Sequence, residues 1–311
     1  GKLINSLSAE LDDIEAHAPR LLAALRDALV KHAQAKTIQR GHDFSVGPTL
    51  IENHDLSEYL VRHGFNIKSR ALNALSGAVT EIFLVCKLQI HVFSGMRHDE
   101  ARTLPYHCIV AKKGGHGRTH SLIAGVTTKF NKGRRLRTHW VTTECEGFRA
   151  IHIARQFANV VYESLGITPS EADTHKDEFP LFPSTDYLPW GNTGKDLEKR
   201  IQTTNKGVSK AKEELHTRLL PTIQEEDIAE LEEIDPFRAW REENEFAIGQ
   251  RWPLTTHQLR RSLAVYANAS GLVRLSSLRR QLQHITREMS LYYGRGSTLC
   301  KNFIATDPDG F

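Results

Sequence analysis

The chain has 311 residues, 25% of them charged and 40% apolar, with a net charge of +4. This length and composition exclude a disordered chain and are typical of an ordinary globular protein of one or two domains. The uninterrupted apolar runs, such as Ile82 to Val85, are far too short to cross a bilayer, so we expect no contact with a membrane.

The chain begins at Gly1 rather than at Met, which we interpret as a piece of a longer protein, and no signal peptide is visible. The cysteines lie far apart and lack the paired spacing of a zinc site. They are Cys86, Cys108, Cys145 and Cys300. This pattern indicates free thiols in a reducing compartment such as the cytoplasm.

The net charge hides a strong asymmetry along the chain. Residues 221–245 carry ten acidic side chains against two arginines. The rest of the chain holds 39 basic and 27 acidic residues, a net charge of +12. A positive body of this kind suits a polyanion such as a nucleic acid, although a solvated basic surface is the ordinary alternative.

Helices dominate the first hundred residues of the predicted fold. Residues 1–66 repeat apolar positions at three and four residues, with a break expected near Pro19. Ser69 to His91 is apolar on nearly every turn, which predicts a core helix. The next predicted helix carries Arg97 and Glu100 as neighbours, a pair that taken alone is usually a weak surface ion pair.

Residues 107–143 change to short β-forming runs separated by turns, which predicts a small antiparallel sheet. Lys129 falls near a strand tip, and the basic residues after it form a candidate surface for DNA phosphates. These residues are Lys132, Arg134, Arg135 and Arg137. A basic hairpin that is simply solvated is the ordinary alternative, and His116 with His120 indicates a loop rather than a metal site.

The remainder is again helical. The polar stretch 196–246 is expected to be an excursion on the surface. Thr255 or Thr256 then begins a helix, and Ser276 or Ser277 begins the next one. The predicted fold class is therefore mixed α+β and mainly helical, with one small sheet.

Six side chains form a set with one chemical meaning. They are Arg97, Lys129, His257, Arg260, His284 and Tyr293. Arginines bind the non-bridging oxygens of a phosphodiester and match its developing charge. A tyrosine hydroxyl attacks phosphorus, and the lysine and histidines move protons. Such a set would cleave a phosphodiester without a metal ion.

The same residues carry a resemblance to the tyrosine recombinases, also called phage-type integrases. The first family box is Gly, a hydrophobic residue, Arg, then Glu and Leu at fixed spacing, and residues 95–104 (GMRHDEARTL) fill it. The second box, His-x-Leu-Arg, is filled by residues 257–260. The third is His284, followed nine residues later by Tyr293, and Lys129 best matches the lysine of the family's β-hairpin.

The resemblance implies a site-specific DNA recombinase that works through a 3′-phosphotyrosine intermediate and needs no cofactor and no metal. Tyr293 would attack the scissile phosphate. Arg97 and Arg260 would hold its non-bridging oxygens, and Lys129 would protonate the departing 5′-oxygen.

Supporting roles follow from the same resemblance. His257 would take the tyrosine proton, His284 would hydrogen-bond the phosphate, and Glu100 would brace the first arginine. Three features depart from the family pattern or leave it open, and the first is that the distance from Lys129 to His257 is longer than usual. Gln283 stands where the family usually has Gly, and the adjacent Tyr292 is an alternative nucleophile.

The resemblance also implies the tyrosine-recombinase catalytic fold over residues 67–311, with a charged helical insertion at about 191–247. Residues 1–66 would hold at most the tail of the family's N-terminal DNA-clamping domain. The implied partners are double-stranded DNA and further copies of the chain in a homotetramer, in the bacterial cytoplasm at the nucleoid. A type IB topoisomerase, a telomere resolvase and a catalytically inactive DNA-binding accessory protein remain open alternatives.

Overall fold

The computed structural model describes residues 1–37, 46–114, 117, 119–127, 136–169, 179–191 and 201–284. These are mainly helical and contain one three-stranded antiparallel sheet, so the predicted mixed α+β class is confirmed. The α-helices are α1 (Lys2–Thr37), α2 (Val46–Asn53), α3 (Ser57–Arg62), α4 (Ala71–Ser94), α5 (His98–Arg102), α6 (Arg149–Ser164), α7 (Glu213–Leu219), α8 (Glu225–Ile234), α9 (Thr256–Ala269) and α10 (Leu275–Gln281). The strands are β1 (Ile109–Lys113), β2 (Thr119–Thr127) and β3 (Leu136–Val141).

Helix α4 forms the centre of the molecule, as its nearly continuous apolar sequence predicted. Seventeen of its 24 residues are buried, and α1, α6 and α9 pack around it. By length and composition it is the one helix in the described ranges that could also cross a membrane, and 72% of that stretch is buried by the rest of the chain. Such burial is what a core helix of a soluble protein shows.

The predicted break at Pro19 is wrong, because α1 continues through it. A proline inside a helix removes one backbone hydrogen bond and costs about 3 kcal/mol. Leu11, Leu21 and Leu25 on the same helix expose 1% or less of their surface. Burial of each such side chain contributes roughly 1.5–3 kcal/mol, so tertiary packing outweighs the local cost of the proline.

The sheet has the order β1-β2-β3, and this confirms the predicted antiparallel sheet. Ile123 on β2 lies opposite Trp140 on β3, and both are fully buried. Alternate side chains of a strand point to opposite faces, so the other face carries Leu122 and Val141, which also pair. One face of the sheet therefore belongs to the core and the other is open.

The polar stretch divides into two parts. Leu215 and Leu219 of α7 are buried in the main core, so the predicted surface excursion is wrong for this helix. Residues 221–252, which we call the acidic module, instead have a small core of their own. The buried members of that core are Ile223, Ile228, Trp240 and Phe246.

The predicted free thiols are confirmed for the cysteines that the structure describes. Cys86 and Cys108 are buried, and Cys145 is exposed. Burial raises the pKa of the Cys108 thiol to about 12, so it is an inert core side chain. Cys300 lies outside the described residues.

Candidate active site

Arg97 directly precedes α5 in extended conformation, rather than lying within the helix as predicted, and it is held by Glu100, the neighbour that the sequence predicted. The Glu100 carboxylate accepts one hydrogen bond from the Arg97 backbone N–H and one from Nη1, each 2.7 Å long. Glu100 is 4% exposed, whereas the Arg97 side chain is 20% exposed. Within the described residues the guanidinium makes no other hydrogen bond, so its Nε and Nη2 donors are available to an anion.

The turn before Arg97 requires a glycine. Gly95 ends α4 with φ +67°, and a Cβ there would come within 2.7 Å of Leu263 Cδ2 and 3.0 Å of Leu282 Cδ2. His91 Nδ1 donates to the Met96 carbonyl at 2.9 Å, and burial lowers the pKa of His91 to about 4. A neutral, fully buried imidazole therefore fixes the turn that presents Arg97.

Helix α9 carries the second box and begins where the sequence predicted. The Gln258 side chain accepts from the Thr255 N–H at 2.9 Å, and the Thr255 hydroxyl accepts from the Gln258 N–H at 3.4 Å. This capping box places His257 in the first turn, where it is exposed. Arg260, three residues on, is 2% exposed, so the two residues lie at the edge of the buried face of the helix.

Arg260 joins the first box to the third. Its Nη1 donates to the Gly95 carbonyl at 2.5 Å, and its Nη2 donates to the Leu282 carbonyl. These partners are 165 and 22 residues away in sequence. Because Gly95 lies two residues before Arg97 and Leu282 two residues before His284, one guanidinium brings the three predicted segments together.

His284 follows a tight turn that places Gln283 in a conformation usually adopted by Gly. The N–H groups of Gln283 and His284 donate to the carbonyls of Arg280 and Arg279, at 3.1 and 3.0 Å. This is a Schellman turn, in which the penultimate position adopts a left-handed conformation and is usually Gly. Here Gln283 adopts φ +50°, and its side-chain amide donates to the carbonyls of Arg280 and His139.

Gln281 is a positioning residue that sequence reasoning missed. Its Nε2 donates to Ser94 O at 2.7 Å and to Val141 O at 2.8 Å, and its Oε1 accepts from Val141 N at 3.0 Å. One amide thus connects the end of α4, the open edge of β3 and the last turn of α10. No sequence signal identifies it, since a single Gln on a polar helix face is ordinarily solvated.

The predicted start of α10 at Ser276 or Ser277 is wrong, because the helix begins at Leu275.

Several predicted site residues lie outside the described residues. They are Lys129, Lys132, Arg134, Arg135, Tyr292 and Tyr293. Arg137 is described, and it is exposed on β3 opposite Val126. In the described part of the chain, no three His, Cys, Asp or Glu side chains are grouped so that they could hold a metal ion.

Arg97, Arg260 and His284 come from three separate segments of the chain. The hydrogen bonds of Arg260 and Gln281 hold these segments together in one region. The Nε and Nη2 donors of Arg97 suit the oxygens of a phosphate. The site can therefore bind an oxyanion and stabilise added negative charge on it.

No protein-family model matches the chain, and no curated protein and no solved structure is significantly similar to it.

Proposed function

We propose that the chain is a site-specific DNA recombinase that cleaves and rejoins DNA through a 3′-phosphotyrosine intermediate. The observation that supports this most is the pair of carbonyls bound by Arg260, because it joins the Arg97 turn to the His284 turn. A purely structural ion pair on a surface helix would not need this convergence. The order and spacing of the three boxes in the sequence supply the second support.

In the proposed reaction the Tyr293 hydroxyl attacks phosphorus, the Tyr–O–P bond forms and the P–O5′ bond breaks. His257 takes the phenolic proton, and Lys129 gives a proton to the departing 5′-oxygen. A 5′-hydroxyl then reverses these steps on the same or another strand. The phosphotyrosyl ester keeps the energy of the broken bond, so no nucleotide cofactor is required.

The arginines divide the work on the phosphate. Arg97 is oriented by Glu100 and offers Nε and Nη2 to one non-bridging oxygen. Arg260 is almost fully buried and already bonds two carbonyls. The two bonds use two of its five N–H donors, so its contact with the second oxygen requires a local rearrangement that brings a further donor to the DNA.

The test is a nicked suicide duplex, whose short 5′-hydroxyl product diffuses away and traps the covalent complex. We expect wild-type protein and Tyr292→Phe to form a protein–DNA adduct that resists denaturant, and Tyr293→Phe to form none. An adduct that survives in Tyr293→Phe and disappears in Tyr292→Phe would move the nucleophile by one residue. DNA binding without any adduct would refute the enzyme and leave the accessory protein.

Recombination is separated from relaxation on supercoiled plasmids. We expect a plasmid that carries paired target sites to yield exchanged products. Removal of supercoils without exchange, from a plasmid with or without such sites, would instead identify a topoisomerase. Hairpin ends on a linear product would identify a telomere resolvase.

A further inference from the structure

The acidic module presents an exposed aromatic side chain among carboxylates. Phe237 is 98% exposed, although Trp240 and Phe246 nearby form the small core of the module. Helix α8, which precedes Phe237 in the chain, exposes four of its six acidic residues. Glu226, Glu233 and Glu242 are exposed, and their carboxylates make no hydrogen bond or salt bridge within the described residues. An aromatic ring left in water costs free energy that contact with an apolar surface would recover.

The open face of the sheet offers a surface of the opposite kind. A cleft of about 780 Å³ lies between this face and α10. Val110, Leu122 and Val141 pair in register across the three strands and form an apolar floor. We call this feature the sheet cleft.

The rim of the sheet cleft is basic. Lys112 on β1, His139 on β3 and Arg280 on α10 line it, and all are exposed. No Asp or Glu is among the described residues that line it. An apolar floor with a cationic rim is complementary to an apolar side chain that is flanked by carboxylates.

We propose that the acidic module of one copy of this chain binds the sheet cleft of a second copy, with Phe237 on the apolar floor. Phe237 does not occupy the cleft of its own chain, because its ring is 98% exposed. The contact joins two different surfaces, so it is heterologous. Such contacts repeat from copy to copy, and they form a closed ring when the rotation between neighbouring copies brings the last copy back to the first. The proposal concerns self-association and does not depend on the cleavage chemistry.

A nucleic acid backbone is the competing occupant of a basic cleft. Phosphates bind to cationic side chains and backbone N–H groups and need no apolar floor. The continuous row formed by Val110, Leu122 and Val141 therefore favours a protein side chain over a phosphate chain. The acidic module would in turn repel DNA and attract the basic rim.

Sedimentation velocity of the full chain without DNA tests the proposal with two variants. Phe237→Ala removes the ring, and Val141→Glu places a carboxylate on the floor at a side chain that is 53% exposed. We expect each variant to weaken self-association by at least about tenfold, which is roughly 1.4 kcal/mol. Leu136→Glu is the matched control, because Leu136 lies on the same strand, is 56% exposed and does not line the cleft.

Mixing the variants decides whether the contact is heterologous. Phe237→Ala keeps an intact cleft, and Val141→Glu keeps the Phe237 side chain. In a mixture, Phe237 of the second variant can bind the cleft of the first, but the reverse contact cannot form. The mixture should therefore contain heterodimers and no larger species. Wild-type behaviour of both variants, or a mixture that stays monomeric while each chain keeps its wild-type melting temperature, would overturn the proposal. Loss of DNA binding in Val141→Glu with self-association unchanged would assign the cleft to nucleic acid instead.

Discussion

At Gln283 the backbone adopts φ +50°, a conformation in which a Cβ costs about 1–2 kcal/mol. The amide of Gln283 offsets part of this cost through its bonds to the carbonyls of Arg280 and His139. Gln283→Gly and Gln283→Ala both lose the amide, so the difference between their free energies of unfolding measures the cost of a Cβ in the left-handed conformation. We expect the Gly variant to be more stable than the Ala variant by about 1 kcal/mol in urea unfolding. Equal stability of the two would contradict a left-handed turn before His284.

Lys87 is a second residue whose burial has a measurable consequence. It is 2% exposed in the centre of α4, and burial lowers its pKa from 10.5 to about 8. Between these values the unfolded chain binds a proton that the folded chain does not, so this side chain makes stability rise with pH across that window. Below pH 8 both states are protonated, and the folded state carries the full cost of the buried charge.

We therefore expect Lys87→Met to stabilise the protein at pH 7 by an amount on the order of 3 kcal/mol. The stability difference between variant and wild type should shrink as the pH rises from 8 to 10.5. Unfolding in urea at several pH values measures it. A difference that is independent of pH would mean that the lysine is not buried as a charge. Lys31→Met is the control, because Lys31 is partly exposed on α1.

At the scale of the elements, α10 is a short helix, and the hydrogen bonds of Gln281 hold it against its neighbours. Gln281→Ala removes three hydrogen bonds to Ser94 and Val141, each worth roughly 1 kcal/mol net. We expect a loss of about 2–3 kcal/mol and faster hydrogen exchange at the Val141 amide. Ser277→Ala, an exposed position on the same helix, should change neither quantity. Unchanged exchange at Val141 in Gln281→Ala would refute the positioning role.

The elements also show what the sequence could predict. The periodicity of α4, the alternation of β1 to β3 and the Thr255 cap are local signals, and each predicted its element correctly. Pro19 and α7 were predicted wrongly, because tertiary burial of leucines decides both and no local pattern reports it. The role of Gln281 could not be predicted, since its partner residues, Ser94 and Val141, belong to elements far from α10 in sequence.

At the scale of the whole molecule, one partly buried arginine connects α7 to the N-terminal helix and the central helix. Arg218 donates to Glu10 on α1 and to Glu81 on α4, both at 2.7 Å. Removing it leaves the Glu10 and Glu81 carboxylates buried without the guanidinium that donates to both. We expect Arg218→Met to cost about 3–5 kcal/mol in urea unfolding. Arg251→Met is the matched control, because Arg251 bonds Glu213 near the surface and should cost less than about 1 kcal/mol.

The additional substitution Glu81→Gln tests the cause of this loss. If the cost of Arg218→Met comes from the carboxylate left behind, neutralising Glu81 in the same chain should recover a measurable part of it. Strict additivity of the two changes would contradict that explanation. The main hydrophobic core likewise packs α1, which lies within residues 1–66, on the core helix α4.

The sequence named the residues of the candidate site but not their arrangement. Box spacing picked out Arg97, Arg260 and His284 from the sequence. It gave no indication that Arg260 would be buried, or that Gly95 and Leu282 would accept its two hydrogen bonds. Those features depend on how three separated segments pack, which one-dimensional spacing does not encode.

The central claim is that the Arg97 turn and the His284 turn act on the same phosphate. Single-turnover cleavage of the nicked duplex by wild type, Arg97→Lys, His284→Gln and the double variant tests it most directly. Residues that act as one unit are strongly non-additive, so the double variant should lose clearly less than the product of the two single losses. Losses that multiply independently, or variants that cleave like wild type, would contradict the account.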